Sequence, residues 1–271
     1  MQSTFDDRIN EVARFSVMTF LWSWLWWTPR ILATYGVISL SPLWDVVLGA
    51  IGALGPGLTA LTQVWRTKGK TAAIEFCGRG WKFNFNPMLL LPAVVIMPLI
   101  GGLTTWVLAL TGLENPWEYS LLSIIDLPLV FVIVVLLISA AGEETGWRGF
   151  VQQQLQTILN PFRASLVLGL VWGVWQLPLH FIGGTLQSVL PVMQIILQAI
   201  ALSVLFTWLY NKSRGSLLVA TLFHFSVSLC GLIFPVWAST IGQWVYLLLI
   251  IVSIVGLGMA VGLYNYRKNQ V

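Results

Sequence analysis

Eight long apolar stretches joined by short loops, with lysine and arginine gathered in alternate loops, constrain this chain more than any other feature. Each stretch is close to the roughly 20 residues that cross a bilayer as a helix. Reading the breaks at glycine, proline and charge places them at about 15–38, 44–65, 88–111, 121–141, 163–183, 188–210, 215–235 and 243–265. Composition agrees, since only 9% of the 271 residues are charged, against roughly 25% in an ordinary soluble domain. The expected fold is therefore all-α: a polytopic transmembrane bundle of about eight helices, forming one membrane-embedded domain over residues 1–271.

Orientation follows from the positive charges. Arg66, Lys68, Lys70, Arg79 and Lys82 follow span two, Arg148 and Arg163 follow span four, Lys212 and Arg214 follow span six, and Arg267 and Lys268 lie in the tail. The loop between spans three and four carries only Glu114 and Glu118, and the loops after spans five and seven carry no charge. This alternation puts both termini in the cytoplasm. The first stretch has no small-residue cleavage pattern behind it and reads as an uncleaved span. The formal charge of +4 is explained by topology, so no nucleic-acid partner is indicated. Cys77, in a basic loop, and Cys230, in an apolar run, suggest neither a disulfide framework nor a thiolate metal site. The compact chain with short loops suggests a bacterial plasma-membrane protein.

A polar side chain within the hydrocarbon region is costly and marks a candidate site. Apart from Asp126, Gln194 and Gln198, the embedded polar residues are Glu143, Glu144 and Arg148 at the end of span four, Gln176 and His180 in span five, and His224, Ser226 and Ser228 in span seven. The first three lie in "GEETGWRG", residues 142–149. Residue types alone also fit a solvated helix end there, and a histidine bonded to a neighbouring carbonyl would account for His224. If residues 139–154 continue as a regular helix, Glu144 and Arg148 share one face, while Glu143 points elsewhere and is available for chemistry. Peptide hydrolysis inside a membrane needs a base for water and a donor or metal for the oxyanion. A glutamate and a histidine in a hydrated pocket meet that need, although neither an HExxH pair nor a GxSxG elbow is present.

The segment "EETGWRG" fits the EExxxR pattern, and in order after it come "WGVWQLPLHFIGGT" and, beyond an "RGS" turn, "SLLVATLFHFSVS". With "GPGLTALTQVW" at residues 55–65, these stretches resemble the CPBP family of intramembrane proteases, which includes type II CAAX prenyl endopeptidases and bacteriocin-processing or self-immunity proteins. The resemblance spans roughly residues 45–235. It implies a helical bundle with a polar cavity facing the cytoplasm. It also implies that Glu143 activates water with a motif-two histidine, that His224 binds the oxyanion or a metal, and that Glu144 and Arg148 fill supporting positions. The substrate would be a peptide or membrane protein, of the prenylated type or otherwise membrane-associated, met among membrane lipids.

Two positions depart from the family pattern. Gln176 stands where the second motif has its histidine, and Ser228 stands where the third has asparagine or aspartate. Glutamine cannot act as a base, but it can donate a hydrogen bond to an oxyanion. His180 would share the face of Gln176 on a regular helix, about 6 Å further along, and a kink at Pro178 would shorten its distance to Glu143. Glu143, His180 and His224 could then supply the roughly three ligands that zinc requires, against a metal-independent glutamate mechanism. The functional alternatives are an endopeptidase with Glu143, His224 and Gln176 in the site, or a silent relative serving as regulator, scaffold or immunity factor. A transporter is a third, weakened by the lack of an inverted repeat.

Overall fold

A computed structural model describes residues 5–78, 83–112, 138 and 141–268. Every regular element among them is helical. The helices are α1 (Phe5–Thr34), α2 (Pro42–Ala53), α3 (Gly55–Gly78), α4 (Leu90–Leu110), α5 (141–156), α6 (Pro161–Trp175), α7 (Val192–Lys212), α8 (Leu217–Ile233) and α9 (Thr240–Lys268). Among the described residues, five helical stretches are long and apolar enough to cross a membrane, and α8 is a shorter apolar helix. The protein is an all-α integral membrane bundle. The expected fourth span, 121–141, with Asp126, lies almost entirely outside the described residues, as do Glu114 and Glu118 in the loop before it.

Several boundaries differ from the sequence reading for identifiable reasons. The first helix begins about ten residues early and runs through Pro29, whose missing N–H costs a single bond in a helix of 30 residues. The second span is two helices meeting at Leu54, and its distal half continues to Gly78 by bending at Gly69, a glycine with φ of 85°. Arg66, Lys68 and Lys70 are therefore helical residues rather than loop residues. The fifth span ends as an α-helix at Trp175 and continues as a tighter 3-10 turn, Leu177–Phe181, because Pro178 cannot supply the next amide donor.

Apolar surroundings give helices no hydrophobic reason to associate, so close packing and hydrogen bonds must hold them. The α1–α2 pair shows both: Trp22 Nε1 donates to the Ile51 carbonyl at 2.8 Å, Ser23 Oγ to Gly52 at 2.7 Å and Trp27 Nε1 to Gly49 at 3.2 Å. Arg30 forks onto both oxygens of Asp45 at 2.8 and 2.9 Å. On the other side, α8 is tied to α4 by Ser226 Oγ to the Val94 carbonyl and by the buried Cys230 Sγ to Met97. Cys77 is exposed at the end of α3, not in a loop. The packed interior is aromatic, with Phe15, Trp147, Trp175 and Trp27 in successive contact at 5.4, 5.6 and 4.9 Å between centroids.

Candidate functional site

The 142–149 motif owes its position to two of its glycines. A Cβ on Gly142 would lie 2.2 Å from the Ala53 carbonyl oxygen, and one on Gly146 would lie 2.5 Å from Pro56. With small residues four apart, α5 seats against the α2–α3 junction at backbone distance, as membrane helices do. Residues 141–144 and 147–151 are wound as π-helix, and the Gln152 N–H reaches the Trp147 carbonyl five residues back. Such wide turns recur at functional sites. The regular α-helical spacing expected here is thus replaced, and Glu143 and Glu144 both reach His224.

These residues form one buried cluster. Glu144 Oε1 lies 2.7 Å from His224 Nδ1 and accepts from Arg148 Nη1 at 3.2 Å. Glu143 Oε2 accepts from Trp172 Nε1 at 2.9 Å, and Glu143 Oε1 stands 3.8 Å from His224 Nε2. Glu144 and Arg148 are fully buried, Glu143 and His224 nearly so. Arg148 is therefore no exposed cytoplasmic charge, as its loop assignment had it. Its guanidinium carbon sits 3.8 Å from the Phe206 ring centroid and 4.8 Å from that of Trp172, where cation–π attraction supplements its ion pair. Buried charges must be paired, and here Arg148 and His224 both face the two carboxylates.

Glu143, Trp172, Gln176, His224 and Ser228 line a cavity of about 420 Å³, together with Trp27, Arg30, Trp175, Gln187, Trp237 and other residues, most of them apolar. Its lining draws on the end of α1, the start of α2, the end of α6 and the start of α7, so it occupies the half of the bundle away from Arg163, Lys212 and Arg214. The helix-end residue Gln176 accepts at Oε1 from Gln187 Nε2 at 2.9 Å.

His180 goes elsewhere. Because it sits in the 3-10 turn, at three residues per turn, it no longer shares the face of Gln176 four positions earlier. Its Nδ1 pairs with the Gln187 carbonyl at 3.1 Å, and it does not line the cavity. Among the described residues no three His, Cys, Asp or Glu side chains come together to hold a metal ion. Glu143 and His224 offer two donors where zinc takes about three from protein.

Sequence reasoning passed over three residues of this site. Trp172 lies within a quoted motif, and its indole N–H is a natural carboxylate donor. Phe206 and Gln187 carried no signal, since one is an apolar residue among many and the other lies in a loop between spans.

Residues 125–230 match the family described as "Type II CAAX prenyl endopeptidase Rce1-like". A protein named "CAAX prenyl protease 2" from Methanococcus maripaludis is 25% identical to this chain over 191 residues, covering 66% of this chain and 69% of the relative. The family match takes in the buried cluster and the cavity-lining end of α6.

Proposed function

We propose that this chain, which resembles the CPBP family of intramembrane proteases, is an endopeptidase that hydrolyses a peptide bond of a membrane-associated or prenylated-type substrate with a water activated by Glu143. The observation that carries this reading is the division of labour on the Glu143 carboxylate. One oxygen is fixed by Trp172, and the other faces His224 Nε2 across 3.8 Å at the cavity wall. That gap is too long for a direct hydrogen bond and suits two groups that share a water molecule.

The steps follow from the partners. Glu144 accepts the Nδ1 proton of His224 and fixes the ring, as carboxylates do for working histidines. With Nε2 also protonated, His224 faces the cavity as a donor. Glu143 takes a proton from water, the resulting hydroxide attacks the peptide carbonyl carbon, and the oxyanion is held by His224 Nε2–H and by the amide of Gln176. The carbon–nitrogen bond then breaks as Glu143 returns the proton to the leaving nitrogen, giving a carboxylic acid and an amine. The donor set favours this metal-independent route over a zinc site on Glu143, His180 and His224. Membrane lipid is the surrounding partner.

The direct test compares purified wild type, Glu143→Ala and Gln176→His in detergent against a peptide library, with metal content measured alongside. Cleavage by wild type and none by Glu143→Ala is expected. Cleavage only after Gln176→His would favour the second reading, a silent regulator, scaffold or immunity factor, which Gln176 and Ser228 support.

We place the protein in a bacterial plasma membrane with both termini cytoplasmic, from the alternation of lysine and arginine. On that orientation the cavity lies in the outer half of the bundle, with Glu143 and His224 at its inner floor. Cys77 reports on this, being exposed while Cys230 is buried. A membrane-impermeant maleimide should label Cys77 in inverted vesicles and not in intact cells. The opposite result turns the molecule over and gives the cavity to the cytoplasm, as the family resemblance implies.

A further inference from the structure

Gln176 can stabilise an oxyanion only if its NH2 group, rather than its carbonyl, is turned to the substrate, and an amide can present either. The structure assigns that choice to Gln187, a residue in the 3-10 turn Leu186–Val189 between α6 and α7: we propose that Gln187 is a positioning residue that holds Gln176 with its donor toward the cavity. This inference rests on the endopeptidase reading above.

Paired donors and acceptors fix the orientation of the Gln176 amide. Gln187 Nε2 donates to Gln176 Oε1 at 2.9 Å, which commits the carbonyl end of the Gln176 amide to Gln187. The two residues line the cavity side by side with Glu143, Trp172 and His224. Gln176 lies one helical turn beyond Trp172, about 6 Å along the axis, and Trp172 is the residue that holds Glu143. A carbonyl carbon attacked by water from Glu143 would lie in the cavity that Gln176 and His224 both line.

Gln187 is itself held in place. Its backbone carbonyl pairs with His180 Nδ1 at 3.1 Å, and its turn is capped by Thr185, whose Oγ1 accepts from the Ser188 N–H and donates to the Leu179 carbonyl at 2.7 Å. Two short 3-10 turns are thereby tied into one unit, and the Gln187 side chain reaches Gln176 from a fixed base. On this account His180 has a structural task, to anchor the turn that carries Gln187, and not a chemical one.

Reversing the polarity at position 187 tests the proposal. Gln187→Lys can only donate, so it keeps the Gln176 carbonyl engaged. Gln187→Glu, when ionised, can only accept, so it attracts the Gln176 NH2 and turns the carbonyl to the substrate. With the peptide that wild type cleaves fastest, Gln187→Glu should lower kcat about 100-fold, the loss typical of one oxyanion donor, with KM within about twofold. Gln187→Lys should stay within about fivefold of wild type on the same scale. In a Gln176→Ala background the Gln187→Glu change should cost nothing more, because the two residues act as one unit. Thermal unfolding in detergent shows that each variant is folded. Equal losses in Gln187→Lys and Gln187→Glu, or the same loss from Gln187→Glu with and without Gln176, would overturn the proposal while leaving the endopeptidase reading intact. Absence of cleavage by folded wild type would overturn both.

Discussion

The cavity has two polar walls built on different physics. One is ionic: Glu143 and His224 line the cavity and are backed by the buried Glu144 and Arg148, whose guanidinium lies over Trp172 and Phe206. The other is neutral: Gln176 and Gln187 are half-buried amides on the end of α6 and a short 3-10 turn. Buried ions demand complete compensation, so the ionic wall tolerates almost no change in any member. Amides demand only a partner of the right polarity, so the neutral wall can be retuned. The comparison teaches that fold stability and chemistry are coupled on the first wall and separable on the second.

Substitutions separate the two walls, and the largest effect belongs to Arg148. Arg148→Ala leaves Glu144 and Glu143 as adjacent buried carboxylates with only His224 to offset them, and should destabilise the protein by about 3 to 5 kcal/mol, read as loss of folded material on size-exclusion chromatography. A stable Arg148→Ala protein would show that the cluster is solvated. Next comes Glu143→Gln, which keeps the shape and removes the base. Cleavage should fall at least 100-fold, within the usual range for a general base, and the unfolding temperature should fall as well, by less than in Arg148→Ala, because His224 loses one counter-charge.

Trp172→Phe should cost less. It removes the indole N–H from Glu143 Oε2 but keeps an aromatic ring beside Arg148 and Phe206, so a kcat loss on the order of 10-fold is expected from one hydrogen bond to a charged group. An effect on KM alone would mean that Trp172 contacts substrate rather than the base. The smallest effect is expected from His180→Ala, less than about fivefold in kcat, because the ring is bound to a backbone carbonyl outside the ionic cluster. If His180→Ala instead abolished cleavage together with bound metal, His180 would belong to the ionic wall and the division would fail.

Much of the fold was legible because a bilayer leaves few choices: every backbone group must bond within its own helix, so apolar length and breaks locate spans. What hydropathy could not show were the bend at Gly69, the split at Leu54 and the 3-10 turn after Trp175, which depend on single residues and local sterics. At the site, the motif letters brought forward Glu143, Glu144, Arg148, Gln176 and His224. Helical arithmetic then misplaced two relations. It separated Glu143 from Glu144, where π winding turns both toward His224. It also put His180 on the face of Gln176, where a tighter turn rotates it away. Gln187 was illegible because its role lies in a contact between α6 and a loop eleven residues further on, which no periodicity encodes.

The most direct measurement is peptide cleavage by purified wild type and Glu143→Gln in the same detergent, each shown to be folded, before and after treatment with a chelator. The account predicts cleavage by wild type that survives chelation and none by Glu143→Gln. Folded wild type that cleaves nothing, beside a Gln176→His variant that does, would contradict it.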